Sequence, residues 1–236
     1  MGKMLIKYKY LNKLIKNINQ KLQYLYIRLF IRDKFKSQVA LWYAENSEKS
    51  KRLEYPKLNH EFIVFDLGGY LGDFAFDINQ KYSCKVYLFE PHPKFFEKCS
   101  LRFKNNEDIH VFNYGIGDKD GMFFLSDRLD DSSFENPNHV NKKSIKCEIR
   151  DFLKVIQDLD IQKIDLMKMN IEGDEYKLLN HILKNEKITF TDQYQIQFHN
   201  FVEGATNKRE KIISELKKTH RRTWCYEFVW ENWELV

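Results

Sequence analysis

Four short stretches combine residue types that could do chemistry, and each lies at or just beyond the end of an apolar run. In the first, Asp66-Leu67-Gly68-Gly69-Tyr70-Leu71-Gly72, glycines behind a carboxylate let the backbone turn tightly and approach a ligand closely. The second is Glu90, 18 positions after Gly72, where a carboxylate can accept hydrogen bonds from both ribose hydroxyls of a nucleoside cofactor. A dinucleotide would offer the same ribose, so Glu90 alone does not choose between cofactors. The third stretch runs from Ile164 to Glu175 and sets Lys168, Asn170 and Glu172 at one parity, hence on one face as a strand ends. The fourth, Gln195-Ile196-Gln197-Phe198-His199-Asn200-Phe201, delivers an imidazole. Imidazole titrates near neutrality, so His199 is the candidate general base, with Lys168, Asn170 and Glu172 as further catalytic candidates. A divalent cation held by Glu172, His199 and Asn200 is the alternative way to activate a hydroxyl, as a Lewis acid.

Elements that would position these groups follow from the hydrophobic pattern. Residues 62–65, 85–89, 109–114, 164–169 and 194–198 are short apolar runs of buried-strand character, and residues 122–125 add a strand expected to pair nearby in the same sheet. Between them, residues 74–81, 93–103, 149–159, 172–184 and 208–219 suit helices, with Pro93 near the start of its own. Residues 224–233 close the chain as strand material, where Trp224, Tyr226, Phe228 and Trp230 alternate and read as core packing of a sheet-edge hairpin. Strands alternating with helices predict an α/β domain with a mostly parallel seven-stranded sheet and helices on both faces. Such sheets place their sites at the carboxyl ends of the strands, where all four stretches fall. His139 and His220 read as loop histidines, and Ser132 and Ser133 fall in a polar loop that could line a substrate side.

Charge divides the chain unevenly. The net charge is +5, but residues 1–52 alone sum to +10, from 10 Lys and 3 Arg against Asp33, Glu45 and Glu48. The remainder is acidic and gives no sign of a nucleic-acid surface. Residues 3–36 read as a basic amphipathic helix with Leu11, Leu14, Ile18, Leu22, Leu25 and Leu29 in a stripe. The favoured reading packs that stripe on the body of the protein or on a second copy; a homodimer-forming seam and contact with anionic lipid are less favoured. The expected division is a helical N-terminal extension over 1–55 and an α/β domain over 56–236. Cys84, Cys99, Cys147 and Cys225 form no C-x-x-C pair, which argues against a zinc or redox motif and fits a reducing cytoplasm, with the inner membrane face as the alternative address. No stretch approaches the ~20 apolar residues of a membrane span.

Gly68 and Gly72 are separated by three residues, unlike a nicotinamide-binding G-x-G-x-x-G turn. The spacing resembles the D-x-G-x-x-x-G turn of class I methyltransferases. Asp66 to Gly72, Phe89-Glu90-Pro91 and Met167-Lys168-Met169-Asn170-Ile171-Glu172-Gly173-Asp174-Glu175 together resemble the FkbM family of methyltransferases, across residues 62–200 but not 1–55. The resemblance implies a Rossmann-like class I methyltransferase fold. It implies S-adenosylmethionine as cofactor and O-methylation of a sugar, nucleotide sugar, surface polysaccharide residue or natural product. By the same resemblance Asp66, Gly68, Gly69, Tyr70 and Gly72 hold the methionine end of the cofactor, Glu90 its ribose, and Gly117 and Asp118 its adenine. This chain departs from the family's pattern at Tyr70, where Asn is common, and at Asn170, where Asp is common; Asn can neither ionise nor serve as a base. Two other classes stay open: a nicotinamide-dependent oxidoreductase, and a cofactor-binding or scaffolding module without catalysis.

Overall fold

In the computed structural model, residues 32–126 and 144–236 are described, together with residues 22, 25 and 26. They fall into two compact units, Met1–Glu54 with Tyr226–Val229, and Tyr55–Cys225 with Trp230–Val236.

The first unit contains α1 (Lys34–Ala44) and the single turn α2 (Ser47–Ser50). Asp33 caps α1 by accepting from the Lys36 amide at 2.8 Å. Trp42 meets the ring of Tyr226 edge-on at 5.1 Å, and the Ser47 hydroxyl donates to the Tyr226 oxygen at 2.9 Å. Most of the expected basic helix lies outside the described residues, as do Ser132, Ser133 and His139. Of its stripe, Leu22 and Leu25 are described, both helical and exposed.

The second unit is an α/β layer structure. Its strands in chain order are β1 (Ile63–Leu67), β2 (Lys85–Phe89), β3 (Ile109–Phe112), β4 (Gly115–Gly117), β5 (Gly121–Ser126), β6 (Ser144–Asp151), β7 (Leu166–Met169), β8 (Gln193–Ile196), β9 (His220–Tyr226) and β10 (Trp230–Leu235). The helices are α3 (Asp73–Tyr82), α4 (Pro93–Phe103), α5 (Phe152–Asp158), α6 (Glu175–Lys184) and α7 (Ala205–Leu216). Seven strands form one sheet in the order β3-β2-β1-β7-β8-β10-β9. The first five run parallel, and β10 returns antiparallel to β8. From β1 the chain steps outward to β3, then returns to β7 on the other side of β1. Right-handed crossovers therefore put the helices of the two halves on opposite faces. The order reverses between β1 and β7, which opens the crevice where such folds bind ligands. This is the Rossmann-like architecture expected from the sequence.

Covered on both faces, the central strands are buried and apolar except for Asp66 and Lys168: all four residues of β7 are buried, as are Val64 to Leu67 of β1. Aromatic rings run across the sheet near the carboxyl ends. Phe65 and Phe89 lie 5.1 Å apart, as do Phe89 and Phe112, with Tyr114 5.6 Å beyond Phe89.

Several expectations are corrected. Residues 122–125 do not join the main sheet; β5 pairs antiparallel with β6 in a separate three-stranded sheet, on whose other side β4 pairs in parallel. Residues 149–151 are strand, not helix. Ile145, Cys147 and Ile149 alternate with Lys146, Glu148 and Arg150, a period of two that extends to Asp151, whose side chain then caps α5 by accepting from Leu153 and Lys154 amides. The helix expected from residue 172 begins at Glu175, because Glu172 and Gly173 adopt φ of 55° and 101°. The terminal alternation of aromatics is interrupted by a turn with Phe228 at φ 61°. His220 is no loop residue: it opens β9, buried, its Nε2 3.0 Å from the Thr191 carbonyl, and burial pulls its pKa down. No helix among the described residues is long and apolar enough to cross a membrane.

Candidate active site

Strand β1 ends at Leu67 and the chain turns at Gly68, φ 78°. The amides of Gly68 and Gly69 both point at the Phe89 carbonyl, at 3.0 and 3.3 Å, which ties the turn to the end of β2. A Cβ on Gly68 would lie 2.0 Å from the backbone oxygen of Asn170. Only glycine lets the ends of β1 and β7 approach this closely. Gly72, also at φ 78°, precedes α3 and faces the ring of Phe103.

Glu90 follows β2 and is 6% exposed. Its carboxylate accepts from the Tyr70 amide at 2.7 Å and the His92 amide at 2.8 Å. Each oxygen keeps lone-pair capacity beyond these bonds, as two ribose hydroxyls would require. Burial pushes its pKa up to about 7, against the lowering effect of the two amides. Tyr70 holds its amide in place by adopting φ 52°, a left-handed conformation that Asn tolerates better than Tyr. Its half-exposed ring rests on Phe95, centroids 4.5 Å apart.

Asp66 is fully buried beneath the turn. Its Oδ1 forms an ion pair with the Lys168 ammonium at 2.8 Å, and neither of its oxygens has a hydrogen-bond partner among the described residues, Oδ2 having no ion pair either. An orphaned carboxylate oxygen beside a glycine turn suits the α-ammonium of an amino acid. The donor set therefore fits a nucleoside carrying an amino-acid tail, with ribose at Glu90 and the tail at Asp66.

The ends of β7 and β8 supply the second half of the site. Asn170 donates its amide to the Leu67 carbonyl at 3.0 Å, and its buried Oδ1 has no partner among the described residues. Glu175 opens α6 fully buried. Its Oε1 accepts from the Ile171 amide at 2.8 Å and its Oε2 from the Gly173 amide at 3.0 Å. His199, beyond β8, brings Nδ1 to 3.0 Å from Glu175 Oε1, while its Nε2 lies 3.6 Å from Glu172 Oε2. The Tyr176 hydroxyl donates to the His199 carbonyl at 2.8 Å. Burial acts to lower the imidazole pKa, but the hydrogen bond and charge of Glu175, with the charge of Glu172, outweigh it and leave the pKa raised. A carboxylate on Nδ1 fixes the tautomer whose Nε2 carries the lone pair.

The structure thus brings together Asp66, Gly68, Gly69, Tyr70, Gly72, Glu90, Lys168, Asn170, Glu172 and His199 at one sheet edge. Gly117 and Asp118 lie apart in sequence register, at the end of β4 in the small sheet; this sheet abuts the Glu90 loop, for a Cβ on Gly115 would lie 3.5 Å from Pro91. Asn200 is exposed. Among the described residues no group of three or more His, Cys, Asp or Glu side chains could hold a metal ion. Of the residues considered for a cation, the structure sets Glu172 3.6 Å from His199 and leaves Asn200 exposed, while Glu175 is engaged by two amides and the imidazole. Sequence reasoning missed Glu175 as a site residue, although a carboxylate in the first turn of a helix following a strand end is a recognisable signal. It also missed Phe201, half-exposed with its ring 5.1 Å from that of His199.

Sheet order and a glycine turn at the end of β1 are those of a Rossmann-like fold. Residues 66–228 match the methyltransferase FkbM domain, and the chain belongs to that family, with S-adenosylmethionine as methyl donor. No curated protein sequence matches it. Similar solved structures include an rRNA methylase from Streptococcus thermophilus, 12% identical over 76% of this chain and 89% of that one, with a TM-score of 0.47. Aeropyrum pernix fibrillarin in complex with natively bound S-adenosyl-L-methionine is 9% identical over 78% of this chain and 70% of that one, with a TM-score of 0.43.

Proposed function

We propose that the chain methylates a carbohydrate hydroxyl, on a nucleotide-linked sugar or a surface polysaccharide residue, with His199 as general base. The observation that carries this reading is the pair formed by Glu175 and the His199 imidazole at the carboxyl edge of the sheet. S-adenosylmethionine supplies an electrophilic methyl group on a sulfonium. A sugar hydroxyl is a poor nucleophile at neutral pH, so transfer gains from a base that takes its proton as the oxygen attacks the methyl carbon. Nε2 of His199 accepts that proton, and Glu175 stabilises the imidazolium through Nδ1. The C–S bond breaks toward sulfur, and the thioether leaves neutral.

Three features support a sugar as acceptor. The exposed ring of Phe201 beside His199 offers a flat apolar surface of the kind that covers the C–H face of a pyranose. Glu172 and the unpartnered Oδ1 of Asn170 offer acceptors to further hydroxyls. Asn170 needs no charge in this role, so its departure from the family's Asp is compatible with turnover. The test is an acceptor screen with methyl-labelled S-adenosylmethionine against nucleotide sugars, capsular-type oligosaccharides, RNA and peptides. Label incorporated into sugars supports the reading; label in RNA or peptide alone refutes it.

A further inference from the structure

Lys168 stands on β7 directly across from Asp66 on β1. Both side chains are out of solvent, 5% and 0% exposed. The ammonium lies 2.8 Å from Asp66 Oδ1, donates to the Gly68 carbonyl at 2.7 Å and reaches the Leu67 carbonyl at 3.5 Å, with the Phe74 ring 5.9 Å away. An ammonium has three hydrogens and no acceptor capacity, and three acceptors surround this one. It is therefore committed to the first strand and its turn, and is poorly disposed to take a proton from an acceptor hydroxyl.

We infer that Lys168 is a positioning residue for the cofactor: it clamps the Asp66 carboxylate and the Gly68 carbonyl so that Asp66 Oδ2 is presented to the cofactor's α-ammonium. This rests on the methyltransferase reading of the site. The physical case has two parts. A buried carboxylate without a counter-charge is strongly disfavoured, so Asp66 could not wait in the empty site without a cation nearby. A cation that engaged both oxygens would leave nothing for the ligand; Lys168 takes one oxygen and spends its other hydrogens on backbone carbonyls. The glycine turn gains as well. At φ 78° Gly68 directs its carbonyl inward, and the ammonium satisfies an oxygen that would otherwise be buried beside the carboxylate.

The inference separates the two ends of the cofactor, and so does its test. S-adenosylhomocysteine carries the amino-acid tail; 5′-methylthioadenosine keeps the adenine, ribose and sulfur without it. Both are titrated calorimetrically into the full chain, its Lys168→Met variant and the Asp66→Asn/Lys168→Met double variant. The double variant leaves no buried unpaired charge and so keeps the test open where the single variant fails to fold. Truncating one partner of a buried charge pair predicts that S-adenosylhomocysteine binds about 30-fold or more weakly to either variant, with methylthioadenosine changed by less than about 2-fold. Equal weakening of both ligands would reveal a general structural role and overturn the inference, as would unchanged S-adenosylhomocysteine binding. Wild-type chain that binds neither ligand would overturn the cofactor reading itself, and this inference with it.

Discussion

With the cofactor's ribose on Glu90, as proposed, cofactor affinity should depend on pH. Its carboxylate is buried, held by the amides of Tyr70 and His92, and burial raises its pKa to about 7. The charges of Lys168 and Asp66 act on it in opposite senses. Only the ionised form can accept from two amides and two ribose hydroxyls together. With that pKa, roughly a tenth of the empty protein carries the ionised form at pH 6 and about nine tenths at pH 8. Apparent affinity scales with the competent fraction, so S-adenosylhomocysteine should bind about tenfold more tightly at pH 8 than at pH 6. Calorimetry in two buffers of different ionisation enthalpy checks this twice. It reads the affinity, and it reads the proton released on binding, close to one at pH 6 and close to none at pH 8. Glu90→Gln should bind weakly at both pH values, with the gradient gone. The sign for stability is opposite. A carboxyl whose folded pKa is raised contributes most below the ordinary carboxylate range, and that contribution is lost as pH rises toward about 7. Affinity that stays flat from pH 6 to pH 8, or falls with rising pH, would refute the assignment of Glu90 to the ribose.

Four further expectations follow from geometry. His199→Ala should lower kcat by about 10²–10⁴ with S-adenosylhomocysteine affinity preserved. Since the base must be neutral and its pKa is raised by Glu175, Glu175→Gln should move the acid limb of the kcat/KM profile to lower pH; an unmoved limb would remove Glu175 from the mechanism. Gly68→Ala and Gly204→Ala share the strain of a positive φ, but only the first puts a Cβ against backbone, 2.0 Å from the Asn170 oxygen, whereas Gly204 has nothing within 4 Å. The second should cost about 1 kcal/mol and the first distinctly more, at roughly 2–4 °C of Tm per kcal/mol for a chain of this size, read by thermal denaturation. Arg209→Met should destabilise by about 3–5 kcal/mol in urea unfolding, because Glu231, 2% exposed, is left buried without its guanidinium.

What was legible in the sequence is what chain chemistry writes locally. β1, β2 and β7 are mostly apolar, and each hands over at once to a glycine or a polar residue (Gly68, Glu90 and Asn170), so strand ends and site coincide in the sequence. The Gly68–Gly72 spacing carries backbone conformations that few residues adopt. Less legible were features decided by pairing. The alternation of residues 144–151 was hidden beside a helical continuation, because Ile149 and Phe152 serve either period until β5 and β4 select the strand. Glu175 was missed for a similar reason. In sequence it is one more acid in a charged run, and only the folding back of the Ile171–Gly173 amides and the arrival of His199 from β8 give its carboxylate partners.

The most direct measurement is transfer of a ¹³C-labelled methyl group from S-adenosylmethionine to nucleotide sugars, read as a new O-methyl resonance by NMR, with wild type and His199→Ala side by side. An O-methyl sugar formed by wild type and reduced by about 10² or more in the variant is the expected result. Label on nitrogen or carbon, label on no sugar, or equal transfer by the two proteins would contradict the assignment of this site to base-assisted O-methylation of a carbohydrate.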